Sequence, residues 1–153
     1  MSQKDEGKGR IKALLGDTDL FFFYLRGGRY ESQAEKVIKE ASAGNIELRT
    51  SSEVYDDAIS AIRAGSVSLD VAHSFISDMK SIPHLTLPMS AETAEEALAM
   101  YTRHGGRSRL SYFDSFHIAT AKRYALTLLT SDRYVIENAP SLGVDVADLS
   151  LWK

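Results

Sequence analysis

The chain has 153 residues, 44% of them hydrophobic and 25% charged, with a formal net charge of −3. These values suit one folded domain with a real core and argue against binding nucleic acid through a broad basic face. Cysteine is absent, which excludes disulfides, thiolate metal sites, iron–sulfur clusters and a cysteine nucleophile together.

The polar, charged start, Met1 to Arg10, reads as a flexible tail ahead of one domain over 11–153. It lacks the apolar stretch of a secretory signal. No apolar run approaches the roughly 20 residues that a membrane helix needs, so a cytoplasmic protein is expected. Ile11 to Leu15 reads as a buried strand leaving through Gly16-Asp17. Leu20 to Leu25 is strongly apolar and stops at Arg26-Gly27-Gly28-Arg29. Ser32 and Glu35 have the spacing of a capping box, opening a helix that ends at about Ala43-Gly44. Ile46 to Thr50 alternates as a second strand, and a helix is expected from Ser52 to about Arg63. Ser68 opens another, with Leu69, Ala72, Phe75, Ile76 and Met79 at helical spacing. Leu85 to Pro88 is a third strand. Ser90 caps a helix that Gly105-Gly106 terminates, and Ser111 begins one running through about Tyr124. Thr127 to Thr130 forms a fourth strand and Val144 to Val146 a fifth. Strands alternating with helices predict an α/β fold, a parallel sheet covered on both faces.

In an open parallel sheet, ligands bind beyond the carboxyl ends of the strands. Asp17 follows the first strand, Glu53 the second and Asp132 the fourth. Asp114 lies in the first turn of the helix leading into the fourth strand, and that helix starts at the same edge. Each acid alone is equally well read as a helix cap or turn residue. Four on one edge are harder to explain that way, because gathered carboxylates repel and so imply a bound cation. All-oxygen donors point to a hard ion, Mg2+ or Mn2+. Such an ion activates water and steadies charge on phosphorus, so phosphodiester hydrolysis needs no histidine base. His117, one turn beyond Asp114, reads as a hydrogen-bonded structural histidine. Phe21, Phe22, Phe23 and Tyr24 read as core or a dimer surface rather than a base-stacking platform.

These residues resemble the PIN-domain nuclease family. Leu14-Leu15-Gly16-Asp17-Thr18 resembles its opening strand and Asp-Thr, and Glu53 its second acid. Asp114-Ser115-Phe116-His117-Ile118-Ala119-Thr120-Ala121 is similar to its Asp before an alanine-rich helix. Leu128-Leu129-Thr130-Ser131-Asp132 resembles its strand ending in Thr-x-Asp. The resemblance covers residues 11 to 147 and implies a sheet of order 3-2-1-4-5. It further implies a Mg2+- or Mn2+-dependent endoribonuclease with Asp17, Glu53, Asp114 and Asp132 as catalytic and metal-binding residues. Thr130 or Ser131 would add a hydroxyl behind them. Many small members are VapC-type toxins, commonly homodimers inhibited by an antitoxin protein. Length, the charged start and Arg133-Tyr134 in place of another acid depart from the toxin pattern, so an RNA-processing role fits equally well.

Arg103, Arg107 and Arg109 form a basic, glycine-containing loop before Asp114. It reads either as an RNA contact or as a solvated helix end. Two rival functions remain. Asp17-Thr18-Asp19 resembles the Asp-x-Asp of haloacid-dehalogenase-like phosphatases, and a PIN-like module that only binds RNA or protein would share the fold.

Overall fold

The computed structural model describes residues 11–153; the tail expected over 1–10 lies outside them. Five strands, β1 (Lys12–Gly16), β2 (Ile46–Ser51), β3 (Leu85–Leu87), β4 (Thr127–Thr130) and β5 (Val146–Asp148), form one sheet. The helices are α1 (Thr18–Arg26), α2 (Glu31–Ser42), α3 (Val54–Ala64), α4 (Leu69–Lys80), α5 (Ala91–His104), α6 (Tyr112–Arg123) and α7 (Arg133–Leu142), followed by a 3-10 turn at Leu149–Leu151. Strand order is β3-β2-β1-β4-β5, and every pairing is parallel. This is the α/β sheet and the order 3-2-1-4-5 expected above. Among the described residues no helix is long and apolar enough to cross a membrane.

Two cores cover the two faces, because successive side chains of a strand point to opposite sides. Leu14 and Leu129 join one core, with Phe21 from α1, Val37 from α2, Ala58 from α3 and Phe75 from α4. Their neighbours Leu15 and Leu128 join the other, with Met100 from α5, Ile118 from α6 and Val135 from α7. The division follows from connection handedness. Right-handed crossovers from β1 out to β2 and β3 place their helices on one face. The return past β1 to β4 and β5 places the later helices on the other. Strand order therefore reverses between β1 and β4, the place where a parallel sheet has its ligand crevice, beyond the carboxyl ends of the strands.

Several local expectations shift. The second helix begins at Glu31 with Tyr30 as an N-cap lacking a side-chain bond. The Ser32–Glu35 capping box is therefore not used, since Ser32 already lies inside the helix. Burial of Ala34, Val37 and Ile38 sets its register instead. Strand β2 runs to Ser51 because the Ser52 N–H continues the pairing onto the Leu87 carbonyl at 2.9 Å. Ser52 Oγ accepts from Met89 N at 3.1 Å rather than capping a helix, and α3 starts only at Val54. The last strand lies at Val146–Asp148, placed by pairing Leu128 with Val146.

Candidate active site

Two acids follow the adjacent strand ends at this switch point. Asp17 ends β1 as the N-cap of α1, only 2% exposed, and its Oδ1 accepts from Leu20 N at 3.3 Å. Gly16 before it leaves the room α1 needs, since a Cβ there would lie 2.8 Å from Leu20 Cδ2. Asp132 caps α7 through Oδ1, which accepts from Val135 N at 2.9 Å. One hydroxyl joins the two strand ends. Thr130 Oγ1 donates to Asp17 Oδ2 at 2.6 Å and accepts from Asp132 N at 3.1 Å. Ser131 makes no side-chain hydrogen bond among the described residues, so Thr130 is the hydroxyl that braces the acids.

Asp114 sits in the first turn of α6, whose N-cap Ser111 accepts from Asp114 N at 3.2 Å. Burial pushes its carboxyl up to about 6, opposed by His117 and Ser111 and assisted by Asp132 and Asp19. Asp17 is held well above the ordinary range, first by burial, then by Asp19 and Asp114, with Thr130 and Leu20 pulling it down. Asp19 lies at the solvent rim. It is raised by partial desolvation in the cleft, then by Asp57 and Asp132, against the opposing effect of His117. The shifts at Asp17, Asp19 and Asp114 thus trace first to burial and then to neighbouring carboxylates, Asp57 and Asp132 among them.

Beneath these acids lies a buried polar knot. His117 is fully buried. Its Nδ1 is 2.7 Å from Ser51 Oγ, and its Nε2 is 3.0 Å from Asp57 Oδ2 and 3.1 Å from Thr18 Oγ1. The Thr18 hydroxyl also donates to Asp57 Oδ2. His117 is the hydrogen-bonded structural histidine expected, and it orients Asp57.

Glu53 behaves differently from the other three predicted acids. It occupies the N-cap position of α3 without making a side-chain cap bond. It contributes to none of the shifts at Asp17, Asp19 or Asp114. Asp57, one helical turn later, is the acid of α3 tied to the cluster. Strand β2 ends one residue later than its alternation suggested, and α3 starts at Val54, so Asp57 lies in its first turn. Phe21 is core, with Phe22, Phe23 and Tyr24 packed against it, as read from sequence. Asp17 suits a phosphatase's covalent nucleophile poorly, being buried with both oxygens engaged.

Among the described residues, no group of three or more acidic or histidine side chains is gathered closely enough to hold an ion. The donors facing the crevice are nevertheless carboxylate oxygens, which match a hard divalent cation in type. The carboxyls of Asp17, Asp19 and Asp114 are raised first by desolvation and then by neighbouring acids, a cost to their charged forms that such a cation relieves.

The chain is similar in structure to several solved toxin–antitoxin proteins. It resembles VapBC2 from Rickettsia felis bound to a promoter DNA fragment, with a TM-score of 0.65, 13% identity, and coverage of 89% of this chain and 98% of the other. DNA-bound VapBC from Salmonella typhimurium gives 0.61 at 17% identity, covering 92% and 99%. VapC20 from Mycobacterium tuberculosis, a toxin that cleaves the sarcin-ricin loop, gives 0.57 at 16% identity, covering 75% and 86%. At such identities the likeness is one of fold. No curated protein sequence matches the chain. The sequence profile of the PIN domain matches residues 15–140, a span that contains every acid of the crevice. The chain belongs to the PIN domain family.

Proposed function

We propose that this chain is a divalent-metal-dependent endoribonuclease, with Asp17, Asp114 and Asp132 as catalytic and metal-binding residues. Asp57 takes the place expected of Glu53 as the fourth carboxylate. The observation that carries this reading is the convergence of carboxylates, Asp17 buried and Asp57, Asp114 and Asp132 partly exposed, at the point where strand order reverses. Asp17 and Asp114 are raised there by desolvation and by neighbouring acids. Helix capping accounts for single acids but gives no reason to gather them.

When bound, Mg2+ or Mn2+ supplies an activated water and charge stabilisation on the phosphoryl oxygens. The chain's own residues do the rest. Thr130 fixes the Asp17 carboxylate and the start of α7 with one hydroxyl. His117 and Thr18 hold Asp57. Arg103, Arg107 and Arg109 stand ahead of Asp114 on the chain, where they can meet phosphates of single-stranded or structured RNA.

The toxin–antitoxin complexes among the structural relatives support an antitoxin protein as a partner. A cytoplasmic homodimer belongs to the same reading and rests on the resemblance to such toxins. A module that binds RNA or protein without cutting is the second reading, favoured by the absence of a gathered ion-holding group among the described residues.

The deciding experiment incubates end-labelled RNA with the protein in manganese, magnesium or EDTA, beside Asp114→Asn. Metal-dependent cutting that the variant loses supports the nuclease. Wild type that binds the RNA but leaves it whole in both metals moves the assignment to the binding module.

A further inference from the structure

The loop between α5 and α6 is built to be stiff. A Cβ at Gly105 would lie 2.4 Å from the Tyr101 carbonyl, so only glycine fits this close turn. Leu110 N donates back to His104 O at 3.2 Å, and Arg109 N donates to Gly106 O at 3.1 Å. Leu110 itself is fully buried in the second core. From outside, the loop is fastened by Tyr134, two residues beyond Asp132. Its hydroxyl is 2.9 Å from His104 Nδ1 and accepts from Arg109 Nη2 at 3.5 Å. The Arg109 guanidinium lies 5.8 Å from the centre of the Tyr134 ring. The helix that carries Asp132 thus also holds the basic loop in place.

Charge pairing separates this loop from ordinary surface. Farther along the same two helices, Lys122 pairs with Glu96 at 2.9 Å and Arg123 with Glu92 at 3.0 Å. Among the described residues Arg103, Arg107 and Arg109 have no carboxylate partner. Complementing the dipole of α5 accounts for Arg103, and in part for Arg109, whose Nη2 donates to the Arg103 carbonyl at 3.4 Å. It leaves Arg107 without a role. A stiff loop holding unpaired guanidinium groups beside an acidic crevice suits a polyanion whose strand crosses from one to the other.

We propose that Tyr134 is a positioning residue that latches the Gly105–Leu110 loop so that Arg107 and Arg109 grip the phosphates of an RNA strand entering the carboxylate site. This rests on the nuclease reading for the direction of the strand, but the grip is measurable without cleavage. The latch lowers the conformational entropy lost when the arginines meet phosphate.

The test follows a short fluorescein-labelled single-stranded RNA by anisotropy, in calcium and over a series of potassium chloride concentrations. Arg107→Ala should weaken binding several-fold and reduce the slope of log affinity against log salt by about 0.7, the value for one phosphate contact on a single strand. Tyr134→Phe keeps every charge, so the slope should stay while affinity falls several-fold. In manganese the same variant should raise KM and leave kcat, a split that general loss of structure would not give. Should Tyr134→Phe melt early, His104→Ala breaks the latch from the loop side and should likewise lower affinity several-fold with the slope kept, unchanged affinity overturning the latch. An unchanged slope in Arg107→Ala, a folded Tyr134→Phe that binds like wild type, or wild type that fails to bind overturns the proposal. Wild type that binds with these slopes but does not cut in manganese removes the nuclease reading and leaves the phosphate grip standing.

Discussion

Replacing Asp114 by asparagine should make the protein more stable at neutral and alkaline pH and, on the proposed nuclease reading, remove catalysis. The folded carboxyl is pushed up to about 6 from an ordinary 3.8, mainly by burial. An acid whose folded pKa is raised binds its proton more tightly in the folded state, so folding stability falls as pH climbs between the two values. The penalty is complete above about pH 6 and absent below about pH 4. Two units correspond to about 3 kcal/mol, at about 1.4 kcal/mol per unit. The side chain is partly exposed, which lowers the expected gain to about 1–3 kcal/mol. The asparagine amide carries no charge, and the substitution keeps the backbone N–H that Ser111 caps. At about 2–4 °C per kcal/mol for a chain of this size, the variant's melting temperature in EDTA at pH 8 should exceed that of wild type by several degrees. At pH 4 the two should melt together. Manganese should reverse the order, because a ligand at one hundred times its Kd stabilises by about 2.7 kcal/mol and the variant holds it less well. Calorimetry or dye-monitored melts across pH 4 to 8 measure all of this. A gap between the variants that is constant with pH, or that favours wild type at pH 8 in EDTA, would refute the argument from a desolvated charge.

Three further outcomes follow from the same geometry. Thr130→Val removes the donor to Asp17 and the acceptor for Asp132 N; a loss of about 1–3 kcal/mol in urea unfolding is expected, together with a large fall in cleavage rate. If Asp57 and not Glu53 completes the site, Asp57→Asn should abolish metal-dependent cutting and Glu53→Gln should leave it near wild type, and the opposite pattern in a cleavage assay would return the role to Glu53. Gly105→Ala forces a Cβ against the Tyr101 carbonyl; it should cost about 1–3 kcal/mol in thermal or urea denaturation and weaken RNA binding through the displaced loop.

What the chain determined by itself was local. Period-two and helical patterning placed the strands and most of the helices, and Ser68, Ser90 and Ser111 cap helices where their spacing said they would; the helix Arg133–Leu142, which Asp132 caps, was not read from the sequence. These features depend on neighbours within a turn, so they survive without knowledge of the fold. Asp17, Asp114 and Asp132 were legible for a related reason, because strand ends in a parallel sheet share one edge. The boundary of β2 was not legible, since Ser51 and Ser52 continue pairing only when β3 is alongside. With the strand end goes the start of α3, on which the proposal of Asp57 in place of Glu53 rests. The bracing of the site belongs wholly to tertiary structure. Thr130 reaches Asp17 across 113 residues and His117 reaches Asp57 across 60. Their contacts, and the desolvation that raises Asp17 and Asp114, exist only once strand order and helix rotation bring those segments together and exclude water from between them.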